Sequence, residues 1–270
     1  MTHLVHSFWT APSMTNRYGY KCEQLFYNLW YFALSCAYAK RSGAEIVLHT
    51  DTLGKLLFGH LPYDKIYTTL DNVDAPPRFW AAGKFFALDA ERDGRAIHID
   101  GDVFIKSAKL WKRMANSESD LLVQYIEPWL DTRVRDRLAE YMTKKYFVHP
   151  CMYNTGVFGI FDTELKQMIL DAYFDTIDEA GEQLPDRLLD DPNFTPDLVC
   201  EQQMVAYISL GFDVDFVLSD AYNCKAEANR IGFQHILSTA KYRELDKCKE
   251  TLREVDKTLY YNTKRICQKL

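Results

Sequence analysis

Apolar positions along the chain recur in two rhythms. Short runs rich in β-branched and aromatic residues, LVHSFWT (4 to 10), EIVLHT (45 to 50), DKIYTTL (64 to 70) and AIHID (96 to 100), have the length and composition of strands. Longer stretches repeat at helical spacing. Residues 22 to 40 carry apolar side chains at 25, 26, 29, 30, 32, 33, 36 and 37, dense enough for a core-facing helix, and Gly43 follows its basic end. Helices are expected near 51 to 58 and from about Pro77 to Ala90. Later come the strands LLVQYIE (121 to 127), CMYNTGVFGIF (151 to 161) and FDVDFVL (212 to 218), with helices at 131 to 145, 163 to 179 and 197 to 210. TAPSMTN (10 to 16) and LPDRLLDDPNFTP (184 to 196) read as loops. Strand, helix, strand at this spacing is a βαβ unit, so the pattern predicts an α/β fold on a mostly parallel sheet covered on both faces.

After residue 240 the pattern changes. Leu245, Cys248, Leu252, Val255 and Leu259 alternate spacings of three and four, which marks an amphipathic helix. From Lys241 to Leu270 nine Lys or Arg stand against five Asp or Glu, a basic appendage of +4 on a body of −10. We expect a main domain over 1–240, followed by this helix over 241–270, packed on the domain or appended to it. The overall charge of −6 argues against nucleic acid as a partner, since phosphate-backbone affinity comes mainly from clustered Lys and Arg. Seven scattered cysteines, none in a CxxC pair, fit neither a disulfide framework nor a zinc site and point to a reducing cytoplasm. MTHLVHSFWT lacks a basic segment followed by a long apolar stretch, so no secretory signal is expected. LFYNLWYFALSCAYA (25 to 39), the longest apolar run, is short for a bilayer span and reads as a buried helix.

Four stretches carry the candidate chemistry. AIHID runs into Gly101 and Asp102, so Asp100 and Asp102 leave a strand where open α/β sheets bind ligands. Two carboxylates one residue apart can converge on a hard cation, and Gly101 permits a tight bend and close ligand approach. A solvated turn uses the same residues. YNTGVFGI (153 to 160) offers the amide of Asn154, the hydroxyl of Thr155 and, at Gly156, room for a ligand near the backbone; a β-bulge with a satisfied Asn is the competing reading. CEQQM (200 to 204) sets Glu201 and Gln202 in an apolar helix, which is costly unless they face a cleft or water. FQHILSTAKY (233 to 242) presents His235 and, six residues on, Lys241; an imidazole beside two carboxylates completes a Mn²⁺ ligand set, though a lone His is usually a packed or surface residue.

In this order the four stretches resemble the GT-A glycosyltransferases, most closely the family 8 type that includes bacterial lipopolysaccharide galactosyl- and glucosyltransferases and glycogenin. The resemblance spans roughly residues 4 to 242 and implies a GT-A, Rossmann-like nucleotide-diphospho-sugar transferase fold. It implies a hexosyltransferase with a UDP-sugar as donor, a glycan or lipid-linked saccharide as acceptor, and retention of configuration. Asp100, Asp102 and His235 would hold Mn²⁺ or Mg²⁺. Asn154, Thr155 and Gly156 would border the donor sugar, Glu201 and Gln202 would act at the sugar, and Lys241 would assist the diphosphate. Thr10, Ala11 and Pro12 fall where such enzymes hold the base, and Lys84 on a helix that often supplies a basic residue to the donor; a Lys84 snorkelling at the surface is the favoured alternative. Similar enzymes acting on lipid-linked glycans sometimes lay a basic C-terminal helix on the inner membrane face. The chain departs from the family at Glu201, usually Asp, at Ser238, where a Gly is normal, and at Tyr242 and Arg243 in place of Pro-Trp. Two other readings compete. A haloacid-dehalogenase-like phosphohydrolase also leaves a strand as Asp-x-Asp, but Phe104 and three preceding strands count against it. A non-catalytic GT-A-like domain would bind nucleotide-sugar or glycan without transfer.

Overall fold

The structure, a computed structural model, describes residues 2–14, 21–92, 94–127, 131–191, 193–219, 224–237 and 240–269. The chain runs β1 (His3–Phe8), α1 (Ala11–Met14), α2 (Lys21–Ser42), β2 (Ile46–Thr50), α3 (Thr52–Phe58), β3 (Lys65–Tyr67), α4 (Ala82–Ala90), β4 (Ala96–Ile99), β5 (Val103–Ile105), α5 (Ala108–Ala115), β6 (Leu121–Glu127) and α6 (Thr132–Tyr141). It continues with β7 (Met152–Ile160), α7 (Thr163–Gln183), α8 (Asp186–Leu189), a π-helical stretch Leu198–Gln203, α9 (Met204–Ile208), β8 (Val214–Phe216), α10 (Cys224–Ile231), β9 (Phe233–His235), α11 (Ala240–Val255) and α12 (Lys257–Cys267). Local chemistry starts many of these helices. Asp51, Ser107, Asp131, Asp162 and Asp256 cap α3, α5, α6, α7 and α12 with side-chain oxygens, each cap stabilising its helix by about 1 kcal/mol.

The predicted α/β sheet is present. Seven strands lie in the order β3-β2-β1-β4-β7-β6-β8. All run in one direction except β7, which is antiparallel to both β4 and β6. This reversal has a direct consequence. The N-terminal residues of β7 come out at the same edge of the sheet as the C-terminal ends of β4 and β6, with Ile99 opposite Val157 and Tyr125 opposite Asn154. A second, two-stranded sheet pairs β5 with β9 and sets Val103 opposite His235.

Two cores flank the large sheet. One gathers α2, α5, α11 and α12 around residues such as Leu29, Phe104 and Leu252; the other gathers α4, α6, α7 and α9 around Phe85, Phe158 and Ile169. In β4, Ile97 and Ile99 serve the first core while His98 and Ala96 lie on the opposite side of the alternation, as a strand buried on both faces requires. The C-terminal residues form two helices, because Asp256 breaks the expected single helix and caps the second. Leu245, Cys248, Leu252 and Leu259 are buried in the first core and Val255 packs at its edge. The stripe that a membrane surface would use is therefore spent on the protein itself, each buried leucine contributing about 1.5–3 kcal/mol. Among the described residues no helix is long and apolar enough to cross a membrane.

Several expectations shift. Residues 11 to 14 of the predicted first loop form a helical turn, and 15 and 16 lie outside the described residues. The loop from 184 contains the turn Asp186–Leu189. The strand predicted over 64 to 70 ends at Tyr67 and passes into a 3-10 turn, Thr69–Asn72. Helix α4 begins at Ala82 instead of Pro77 because the carboxylate of Asp197 accepts from the Ala81 N–H at 2.9 Å and fixes the start. The helices α5 and α10 were not foreseen. Their apolar residues are few, and α5 shows them only as Leu110, Trp111 and Met114 among charged neighbours.

One polar cluster ties α4 to β1 and β2. Glu91 at the end of α4 accepts from His49 at 2.9 Å and lies 3.0 Å from His3 Nε2. The nearby His3 imidazole and the hydrogen bond from His49 hold its carboxyl down at about 2, below the ordinary glutamate value, despite partial burial. The folded protein thus favours the ionised form. This stabilisation is complete above the ordinary glutamate pKa and is lost as pH falls toward 2. Glu91→Gln should lower the melting temperature at pH 7 and flatten the acid limb of the stability profile between about pH 4.5 and 2; parallel acid limbs for variant and wild type would show that the pair of histidines contributes nothing.

Candidate functional site

The turn after β4 is the organising piece. Asp100 N–H donates to Gly156 O at 2.9 Å, and Val103 N–H reaches back to Asp100 O at 2.9 Å, so the chain leaves the sheet and enters β5 within three residues. Pairing of β5 with β9 then brings His235 beside Asp102, and Ile236 N–H donates to Asp102 O at 3.2 Å. One ligand atom from each of Asp100, Asp102 and His235 lies within 4.8 Å of the other two. The residues that the sequence singled out as a trio converge.

Each aspartate carries its own ammonium. Asp102, 5% exposed, lies 2.5 Å from Lys241 Nζ and 3.5 Å from His235 Nε2. Burial works against its charge, but the Lys241 ammonium outweighs it and holds the carboxyl far below the usual range. Asp100 is more open and lies 3.1 Å from Lys84 Nζ. Lys84 is 6% exposed and does not snorkel. Its ammonium also reaches Glu201 Oε1 at 2.6 Å and Thr155 O at 2.9 Å. Burial alone would discharge it; Asp100 and Glu201 overcome that and raise its pKa above the ordinary lysine value.

Helix α4 can aim Lys84 because both of its ends are fixed. Asp197 holds the Ala81 N–H and accepts from Tyr173 OH at 2.7 Å, while Tyr173 stacks on Phe85 with centroids 3.7 Å apart. At the other end the buried Lys166 donates to the carbonyls of Glu91, Arg92 and Gly94.

Cys200 to Gln203 of CEQQM sit in the π-helical stretch, a geometry frequent at functional sites. Glu201 is 2% exposed, so exposure of one helical face does not explain this carboxylate. Its Oε1 accepts from Lys84 and from the Thr155 hydroxyl. Gln202 is half-buried, and its Oε1 is enclosed without a hydrogen-bond partner. Gln203, not singled out by the sequence, donates to Phe147 O and His149 O and serves packing. Asn154 Nδ2 donates to Glu127 Oε2 at 3.3 Å, and its Oδ1 accepts from Gly156 N at 3.1 Å.

Both glycines serve neighbours of the chain itself. A Cβ on Gly101 would stand about 2.0 Å from the Phe32 ring, and one on Gly156 would stand 2.6 Å from both Gln124 Oε1 and His235 Cε1. The space expected for a ligand is taken up by these side chains. The competing reading of a bulge with a satisfied Asn holds here too: between the pairs Val123–Phe158 and Tyr125–Asn154, three β7 residues, Thr155 to Val157, face Gln124 alone. At the end of β1, Thr10 donates through both its N–H and its hydroxyl to Asp51 Oδ2, at 2.8 and 2.6 Å, and Pro12 is buried beside the half-buried Ala11. Ser238 lies outside the described residues. Tyr242 stacks edge-on against Tyr27, while the Tyr31 hydroxyl donates to Lys241 O and fixes the start of α11.

Two neighbours were missed. His98 donates to or accepts from Ser7 Oγ at 2.8 Å, with Nδ1 3.8 Å from Asp100; burial, followed by Lys84, keeps its pKa well below the usual histidine value. Gln124 contacts His235. The available signal was a polar residue inside an apolar strand run, AIHI in one case and LLVQYI in the other.

Fold and site together define an α/β protein whose mostly parallel sheet carries an Asp-Asp-His cluster at its strand ends. The chain belongs to DUF6734, a family of unknown function, which it matches over residues 2–263. No curated protein matches it. Solved structures to which it is similar include the galactosyltransferase LgtC in complex with donor and acceptor sugar analogues, at 11% identity over 80% of this chain and 73% of that one, with a TM-score of 0.37. An active-site mutant of LgtC is similar at 12% identity over 80% and 72%, with a TM-score of 0.38. Likeness this distant carries no activity across.

Lys84→Met should lower stability by about 3–5 kcal/mol in urea denaturation, because it leaves the buried Glu201 carboxylate without its cation. Glu201→Gln, which keeps the shape and an acceptor, should cost less. Equal midpoints for Lys84→Met and wild type would show that this ammonium does not hold Glu201.

Proposed function

We propose that the chain is a metal-dependent glycosyltransferase that moves a hexose from a UDP-sugar to a hydroxyl of a glycan or lipid-linked saccharide, with retention. The observation that carries this reading is the convergence of Asp100, Asp102 and His235 at the carboxyl end of β4. Two carboxylate oxygens and an imidazole nitrogen suit Mn²⁺ or Mg²⁺, and ligand atoms this close to one another fit a single ion. When bound, such an ion neutralises charge growing on a leaving diphosphate.

Charge around the cluster agrees with that role. Three carboxylates, Asp100, Asp102 and Glu201, stand against the ammoniums of Lys84 and Lys241. The excess is one negative charge, which a divalent cation turns into one positive charge, complementary to a diphosphate. Lys241 is the more exposed of the two lysines and can reach phosphate oxygens; Lys84 is locked among Asp100, Glu201 and Thr155 and acts by holding them.

Glu201 is held through Oε1 by Lys84 and Thr155, and in this reading its carboxylate orients a hydroxyl of the donor sugar. Asn154, pinned through Oδ1, adds an amide beside it. In this reading Gln202, whose Oε1 has no hydrogen-bond partner, stabilises positive character at the anomeric carbon, a role an amide oxygen fills without being a good nucleophile. Thr10, Ala11 and Pro12 border the base in this reading, with Asp51 setting their backbone.

Isothermal calorimetry of UDP with and without Mn²⁺ tests the proposal. Wild type should bind UDP in a metal-dependent way, and Asp102→Asn should weaken that binding by more than about tenfold. Failure of wild type to bind any nucleoside diphosphate with either metal would sink the reading. Binding without transfer to any acceptor, in the presence of a UDP-hexose, would favour a nucleotide-sugar binding protein.

A further inference from the structure

We infer that Gln124 is a positioning residue that fixes the proton of His235 on Nδ1 and so turns Nε2, with its lone pair, toward the two aspartates. The inference rests on the metal-site reading above and adds to it a residue outside the four stretches. Gln124 is 1% exposed in a strand whose other residues up to Tyr125 are apolar and buried. An amide there is costly, by about 1–3 kcal/mol if left unpaired, and its backbone carbonyl and side chain are both engaged. The carbonyl accepts from Leu218 N–H at 2.9 Å, and the side-chain Oε1 lies 2.8 Å from His235 Nδ1.

The strand is built to present it. Leu121 and Val123 belong to the core of α4 and α7, and Leu122 to the core of α2 and α11. Strict alternation would return Tyr125 to the side of Val123. The irregularity between Val123 and Tyr125 prevents this, and Tyr125 joins the core of Leu122. The extra residues lie in β7, where Thr155 to Val157 face Gln124 alone, and a bulge of this kind is common beside functional sites. Gly156 completes the fit, because any Cβ there would collide with both partners of the hydrogen bond.

An amide oxygen has no proton to give, so the bond requires an N–H at Nδ1 and leaves Nε2 as an acceptor. Nε2 stands 3.5 Å from Asp102 Oδ1, longer than an ordinary N–H···O bond, as expected for two ligands of one cation rather than a donor and its acceptor. Gln124 and His235 both border a cavity of about 470 Å³, so their hydrogen bond lies at the wall of an open space. A second interaction that orients a metal-binding histidine through its other nitrogen is a general requirement of such sites.

Two variants test the assignment. Gln124→Leu removes the acceptor at similar volume, and Gln124→Glu keeps an acceptor oxygen of the same reach. Nitrogen-15 NMR of the histidine ring reads the tautomer, and calorimetry with Mn²⁺ in the presence of UDP reads the affinity. Wild type should show Nδ1–H at His235; Gln124→Leu should shift the population toward Nε2–H and weaken Mn²⁺ by about tenfold or more, while Gln124→Glu retains both. A wild-type His235 protonated on Nε2 overturns the inference by itself, as does a Gln124→Leu protein with unchanged tautomer and unchanged affinity. If Gln124→Leu does not fold, Gln124→Met supplies the acceptor-free side chain, judged by the same two readouts. Should wild type bind no Mn²⁺, the metal reading fails, and the tautomer measurement still decides what Gln124 does.

Discussion

A cation taken out of water must be surrounded by compensating charge, and the Lys84 ammonium imposes that demand on everything near it. Asp100, Glu201 and the Thr155 carbonyl meet it from three separate elements: the end of β4, the π-helical stretch and β7. An ion pair this buried adds little net stability compared with a well-packed apolar alternative, yet removal of one member is expensive. Its effect is therefore geometric. Three segments that share no sequence neighbourhood are obliged to keep their register, and the helix that carries Lys84 is itself clamped by Asp197 at one end and Lys166 at the other.

The reversed strand β7 gives this arrangement its location. Were β7 parallel to its neighbours, Asn154, Thr155 and Gly156 would emerge at the far edge of the sheet, away from Asp100. Running against β4, it delivers them to the same edge. The small β5–β9 sheet does the equivalent for His235 across more than 130 residues of chain. Strand direction and one two-stranded pairing, more than any single bond, turn scattered polar residues into one cluster.

Much of this was legible in the sequence because burial on both faces leaves unmistakable apolar runs, and AIHI ending in Asp100 is such a run. The convergence of Asp100, Asp102 and His235 followed from reading them as one pattern. What eluded the sequence has physical causes. Lys84 looks like any amphipathic lysine, and its burial depends on carboxylates 16 and 117 residues away. Gly101 and Gly156 announced room near the backbone, but only the packed structure shows that Phe32, Gln124 and His235 use it. The break at Asp256 was a capping signal inside an otherwise continuous stripe, and periodicity alone does not register it.

Asp100 and Asp102 converge but are held from opposite sides of the architecture. The first is gripped from the α4 side of the sheet through Lys84, the second from the α11 side through Lys241, whose carbonyl is tied to α2 by Tyr31. The turn that joins them is thus a seam between the two cores that flank the sheet. A ligand holding both carboxylates at once would stitch that seam. Its binding energy would then be felt as a single, sharper unfolding transition for the two halves, because neither could come apart without first releasing it.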